Sequence, residues 1–279
     1  MIKIVTDSTC DLPERVIAEH NITVIPLYIN VDDESYLDGV ELSRQEFYQR
    51  LPHYNETPTT SAPSPGMFSR VYQRLAAQGA SAIVSIHISA SLSNTVNVAR
   101  LTAQETKEVP VTVFDAGQIS LGTGLATLMA AKAAAAGRSV TDIMEMLKEK
   151  MQHTYTLAGL DTLEFLRRSG RLTRFQSSLG AVLRIKPLLT MNGGEAGMEK
   201  VRTRKRAFER LIELISDLAP LEHLSLVHTH APEAVETLRQ MARDLFPAGE
   251  EPMLAEVTPV IGSHIGPGAA GFVCVSAKD

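Results

Sequence analysis

The sequence predicts an α/β protein in two parts: an N-terminal parallel-sheet α/β domain, and a second α+β domain with a mixed or antiparallel sheet. Three observations carry this. Short β-branched runs alternate with helical patterns through the first half of the chain. Beyond about Val140 a hairpin breaks that alternation. At 279 residues the chain is also long for a single core. The division is expected near position 150, giving 1–150 and 151–279.

Four runs in the first part read as strands: "IKIV" (Ile2 to Val5), "ITVIPLYI" (Ile22 to Ile29), "AIVSIHI" (Ala82 to Ile88) and "VTVFD" (Val111 to Asp115). Between them, Ser64 and Pro65 start a helix whose apolar face is Met67, Phe68, Val71, Tyr72 and Leu75, and Gly79 stops it. A second helix is expected from about Ser93 to Thr106. A third, "GLATLMAAKAAAAG", is apolar almost all round and should be buried. In the second part "DIMEMLKEKMQ" is an amphipathic helix and "TYTLAGL" a strand. Gly193 and Gly194 separate the arms of a hairpin. A helix from about Lys205 to Leu218, the strand "LSLVHTH", the helix "PEAVETLRQMARDLF", the segment "MLAEVTPV" and a last strand "GFVCVSA" complete the chain.

Composition narrows the function. With 44% hydrophobic and 21% charged residues, this is an ordinary globular composition, and no apolar run approaches the roughly 20 residues of a membrane span. Stable membrane insertion is not expected. A net charge of -5 gives no general attraction to nucleic acid. The first residues read as a strand rather than a signal peptide, so a cytoplasmic location is expected. Cys10 and Cys274 lie far apart without metal-ligand spacing, as reduced structural thiols would.

Small polar residues and glycines gather at element ends, where α/β proteins build their sites. The segments are "VTDST", "TTSAPS", "SASLSNT" and "GSHIGPGAAG". In "SASLSNT" a helix start at the carboxyl edge of the sheet offers unpaired N–H groups, with Ser93, Asn94 and Thr95 as added donors. That is an anion cradle without a formal positive charge; the plainer alternative is that Ser91 or Ser93 simply caps the helix. "TTSAPS" holds more hydroxyls than a helix capped by Ser64 needs. His264 lies in a glycine-rich loop, where it can donate to a carboxylate, act as a base, or bond nearby backbone. His228 and His230 lack the neighbours of a zinc site, so no metal is expected. No nucleophile elbow, phosphate-binding loop or dinucleotide fingerprint is present. One enzymatic alternative stays open: a serine hydrolase acting on acyl esters, with Ser93 as nucleophile and His264 as base.

Seven marks in order, "VTDSTCDL", "TSAPSPGMF", "ISASLSNT", "FDAGQISLGTG", "LEFLRRSGRLT", "KPLLTMNGGE" with "KVRTRKRA", and "HIGPGAAG", give the chain a resemblance to the DegV family of bacterial fatty-acid-binding proteins over essentially its full length. The resemblance implies a carrier and not a catalyst. A long-chain fatty acid would lie in a buried apolar tunnel between or within the two domains, and a separate fatty acid kinase would phosphorylate its carboxylate to an acyl phosphate, a step of phospholipid metabolism. It places Thr60, Ser61, Ser93 and His264 around the carboxylate, with Asn94 beside them. No cofactor is implied, and a monomer is expected. Arg171 and Arg202 become candidates for contact with the partner, within a basic set that includes Arg167, Arg168, Lys205 and Arg206. The chain departs from the family pattern at Ala62, where glutamine is common, at Ser91 and Asn94, where glycines are common, and in "RRSGR", where K-G-G-R is more usual.

Overall fold

The computed structural model describes residues 1–175, 185–249 and 252–278. From the N-terminus, β1 (Ile2–Asp7), α1 (Glu14–Glu19) and β2 (Thr23–Ile25) form a parallel crossover unit. The expected single strand from Ile22 to Ile29 then breaks at Pro26, which has no N–H to give a ladder. β3 (Tyr28–Val31) and β4 (Glu34–Leu37) leave the parallel sheet and form an antiparallel pair. After α2 (Arg44–Arg50) the chain returns as β5 (Thr59–Ser61), which pairs with β3. The "TTS" of "TTSAPS" is therefore a strand and not part of a helix approach.

The helix predicted at Ser64 is α3 (Pro65–Ala77), capped by the Ser64 hydroxyl 3.3 Å from the Met67 N–H. β6 (Ala82–His87), α4 (Thr95–Glu105) and β7 (Val111–Asp115) follow, giving a four-stranded parallel sheet in the order β2-β1-β6-β7. Helix α4 starts two residues later than expected, with Asn94 at its cap position and its side chain not bonded to the backbone N–H groups of the first turn. The alanine-rich segment is α5 (Leu121–Ala135), buried along nearly its whole length, and α6 (Val140–Gln152) opens with a capping box between Ser139 and Asp142.

The second part holds β8 (Thr154–Gly159), α7 (Glu164–Arg168), β9 (Lys186–Asn192), β10 (Glu195–Val201), α8 (Arg204–Leu218), β11 (Leu221–His228), α9 (Pro232–Met241), β12 (Leu254–Glu256), α10 (Pro259–Ile265) and β13 (Ala270–Ser276). Its sheet runs β10-β9-β8-β13-β11-β12, antiparallel except for the β11–β12 pair. Gly193 and Gly194, at φ +55° and +86°, make the β9–β10 turn that the sequence marks. His264 lies in the last turn of α10 rather than in a loop.

The sheets divide between Gln152 and Thr154, but the interior does not. Ile4, Val84, Ile86 and Leu125 share one apolar cluster with Val227, Val257, Val273 and Val275. Helix α5 touches β1 and β6 on one side and β8 and β13 on the other. The far face of the six-stranded sheet is covered by α8 and α9, over Leu157, Leu226 and Phe272. Two layers of sheet thus share a filling of helices, and the ends of β5, β6 and α10 meet where that filling gives way to a cavity.

Candidate ligand-binding site

The cavity lies between the two sheets. Its empty space is about 990 Å³, open solvent at the mouth included. Its wall is mostly carbon: Leu27, Ile88, Leu92, Leu160, Leu189 and Ile261 are among the lining residues. Helix α10 supplies part of it by turning Val260, Ile261, His264 and Ile265 inward from one face.

Polar side chains line it too, among them Thr60, Ser93, Arg171 and His264 from distant parts of the chain. Thr60 sits mid-strand in β5, its hydroxyl 2.8 Å from His264 Nε2. His264 is held neutral, its pKa pushed down to about 3 by burial and then by the charges of Arg171 and Arg174. Its Nδ1 is buried without a hydrogen-bond partner. In the tautomer with the proton on Nε2, the ring donates to the Thr60 oxygen, and the Thr60 proton is free for a third group. Ser93 is arranged alike. Its oxygen accepts the Thr95 N–H at 3.3 Å and lies 2.9 Å from Thr95 Oγ1. When the Thr95 hydroxyl donates, the Ser93 proton too is free.

Arg171 supplies the formal charge that the sequence reading left out. Its guanidinium donates to the Ser169 carbonyl at 2.7 Å, and burial, with Arg174 nearby, draws its pKa down. Among the described residues no carboxylate pairs with it. Arg174 donates to the Ser91 carbonyl and ties this basic turn to the loop that carries Ser93. Two hydroxyls, one neutral imidazole and one guanidinium without a carboxylate partner among the described residues thus face a mostly apolar chamber, an arrangement suited to an anionic head on an apolar body.

The other expected site residues lie elsewhere. Alternation along β5 turns Ser61 away from Thr60, and its exposed hydroxyl accepts from Asn30 Nδ2 at 3.0 Å. Asn94 is exposed and bonds Asn97 at 3.0 Å. Arg202 is exposed just before α8 and is not among the lining residues. Ser93 and His264 do not bond each other, since each is committed to a threonine. His228 accepts the Ala231 N–H and His230 pairs with Glu256 at 3.2 Å, and the described residues contain no His, Cys, Asp or Glu cluster able to hold a metal.

A family model described as "Uncharacterised protein, DegV family" matches residues 1–277. The chain belongs to the DegV family. A DegV domain-containing protein of Streptomyces coelicolor is 38% identical over 279 residues, 99% of this chain and 98% of that one. Among solved structures, a DegV family protein from Thermus thermophilus, described by its fatty acid binding, superposes with a TM-score of 0.90 at 35% identity and covers 99% of each chain. DegV of Bacillus subtilis, described as a fatty acid binding protein, gives 0.89 at 31% identity with the same coverage.

One DegV mark, "VTDSTCDL", feeds a buried polar network behind the cavity, and of its residues Thr9 lines the chamber. Tyr72 donates to Ser85 at 2.9 Å, and Ser85 lies 2.7 Å from His87 Nε2. His87 Nδ1 lies 2.9 Å from Asp7, which also accepts from the Ile88 N–H and from the amide and hydroxyl of Thr9. Ser85, His87 and Asp7 are fully buried, so this Ser-His-Asp order is a support for the lining residues Thr9 and Ile88, not a hydrolytic triad. Sequence reasoning missed it because Asp7 and His87 lie 80 positions apart.

Proposed function

We propose that this chain binds a long-chain fatty acid, with the acyl chain in the apolar cavity, the carboxylate held by Thr60, Ser93 and Arg171, and His264 orienting the Thr60 hydroxyl toward it. One observation carries the reading: the polar groups that line the chamber include the Thr60 and Ser93 hydroxyls, each able to donate to a third group when its bonded neighbour donates to it, and the Arg171 guanidinium, without a carboxylate partner among the described residues, while most of the remaining wall is carbon. The fatty acid binding described for the Thermus thermophilus and Bacillus subtilis relatives supports it.

The energies fit this division. Burial of an acyl chain gains about 0.8 kcal/mol per CH₂, on the order of 10 kcal/mol for a long chain. The head group then has to offset only its desolvation, and hydrogen bonds of about 1 kcal/mol each, with one charged bond, are enough. In this reading the protein is a cytoplasmic, monomeric carrier and not an enzyme. A partner fatty acid kinase supplies ATP and transfers its terminal phosphoryl group to a carboxylate oxygen, releasing ADP and leaving an acyl phosphate. Exposed Arg202 and the basic turn around Arg174 are the surfaces offered to that partner.

Mass spectrometry of an organic extract of the purified protein tests the core of the proposal. A stoichiometric fatty acid is expected, and Thr60→Val with Ser93→Ala should lose most of it. Protein that carries no lipid and takes up none from a palmitic acid suspension would refute the reading.

A further inference from the structure

We infer that Gln118 is a positioning residue for Ser93: its buried amide fixes the loop that carries the Ser93 hydroxyl to β8 and β9, two strands of the cavity wall. This rests on the fatty acid reading above.

Gln118 lies between β7 and α5 and is completely buried. Its Nε2 donates to the Thr154 carbonyl at 2.6 Å and reaches the Met191 carbonyl at 3.4 Å, while its Oε1 accepts the Thr156 hydroxyl at 2.9 Å. Groups of β8 and β9 thus hold both ends of one amide. Its orientation is determined, since turning it over would set its oxygen against two carbonyls, neither of which can donate.

The main chain of the same residue serves the other sheet. The Gln118 carbonyl accepts the Ser89 N–H at 2.9 Å, and the Ser89 carbonyl in turn accepts the N–H groups of Leu92 and Ser93 at 3.0 and 3.1 Å. A path of hydrogen bonds therefore runs from β8 and β9 through Gln118 and Ser89 to the backbone of Ser93. Both ends of it line the cavity: Ala158, Leu189 and Met191 on the strands, Leu92 and Ser93 on the loop.

Helix α5 leaves no slack around this amide. A Cβ at Gly122 would lie 2.7 Å from Gln118 Oε1 and 2.8 Å from Thr156 Oγ1, so only glycine lets the helix pass so close. The partners of Gln118 keep other bonds without it. The Thr154 carbonyl also accepts from Asn192 Nδ2 at 2.9 Å, and the Thr156 hydroxyl has the Ile119 carbonyl at 3.4 Å as a second acceptor. A methionine of the same length would therefore strand few polar groups, yet it would release the loop. A displaced Ser93 hydroxyl then loses much of its bond to a ligand, because hydrogen bonds weaken steeply with geometry.

The test is Gln118→Met in the full chain, alone and combined with Ser93→Ala, with palmitic acid as the probe in calorimetric titrations and with thermal melts and amide hydrogen exchange of the ligand-free protein alongside. Gln118→Met is expected to weaken binding roughly three- to tenfold, part of what one hydrogen bond to a charged group is worth, and by less than about twofold once Ser93 is alanine. A residue that only supports the fold would weaken both backgrounds by the same factor. Exchange should quicken at the Ser89, Leu92 and Ser93 amides and stay as in wild type at Val84 and Ile86 of β6. Gly122→Ala, which keeps the amide and crowds it, should show the same dependence on Ser93 with a smaller factor, and it carries the test where Gln118→Met does not fold. Equal factors in the two backgrounds, an unchanged affinity, unchanged exchange in the loop, or failure of both variants to fold would overturn the inference. Absence of palmitate uptake by the wild type would instead overturn the fatty acid reading, and the exchange comparison would still judge Gln118.

Discussion

Arg171→Gln isolates the charge at the head of the cavity. The guanidinium lines the chamber, keeps one bond to the Ser169 carbonyl, and has no carboxylate partner among the described residues. A charged hydrogen bond to a ligand carboxylate is worth about 1.5–3 kcal/mol in general. Arg171 is only partly buried, so solvent screening reduces this to about 1–2 kcal/mol, roughly a 5- to 30-fold rise in the Kd for palmitic acid. The side chain also packs its stem on the wall, and this contribution has to be separated from the charge. Calorimetry with 1-hexadecanol, which has the same chain and no charge, does so: its Kd should change less than about twofold. Arg171→Lys keeps the charge and loses the planar fork, so it should fall between wild type and Gln. Equal weakening for acid and alcohol would mean that Arg171 acts only as wall, and an unchanged Kd for the acid would remove it from the head-group site.

Three further outcomes follow from particular side chains. Both oxygens of Asp38 are buried without a hydrogen-bond partner, and burial, with Asp11 adding to it, raises its pKa to about 7. A carboxyl raised in this way stabilises the fold when protonated and loses that stability as pH rises from about 4 through 7; Asp38→Asn should therefore gain about 2–4 kcal/mol at pH 8 and much less at pH 5, read from urea melts. Gly266, at φ +72°, closes α10 with Phe165 so near that an added Cβ would meet the ring at 2.3 Å, and Gly266→Ala should lower stability by about 2–4 kcal/mol in thermal melts. A fluorophosphonate probe should leave Ser93 unmodified, because His264 bonds Thr60 instead of Ser93 and is too weak a base at a pKa of about 3; an adduct that His264→Ala abolishes would revive the hydrolase alternative.

The parts of the molecule that sequence made legible are those decided by local chemistry. Ser64 and Pro65 start α3, Gly193 and Gly194 turn the hairpin, and the apolar composition of α5 marks a helix buried on every side. Where tertiary pairing decides, local signals mislead. "ITVIPLYI" is β-branched on both sides of Pro26, yet its halves join different sheets because β3 finds antiparallel partners in β4 and β5. The same rule governs the site. Thr60, Ser93 and His264 are hydroxyl and imidazole groups at element ends and could be singled out, but their neighbours could not. Thr60 and Ser61 are equivalent in sequence, and only the register Ile29 opposite Thr60 sends one inward and the other to solvent. The resemblance makes Arg171 a candidate for contact with a partner, alongside Arg167 and Arg168. Those two, adjacent in the last turn of α7, both pair with Glu164, while the guanidinium beyond them, without a carboxylate partner among the described residues, lines the cavity. Pairing removes charges from a site as effectively as distance does, so a run of arginines says little until the carboxylates that neutralise some of them are located. At Arg171 none is found among the described residues, and that unpaired charge, next to a neutral His264, is what makes this end of the cavity able to hold an anion.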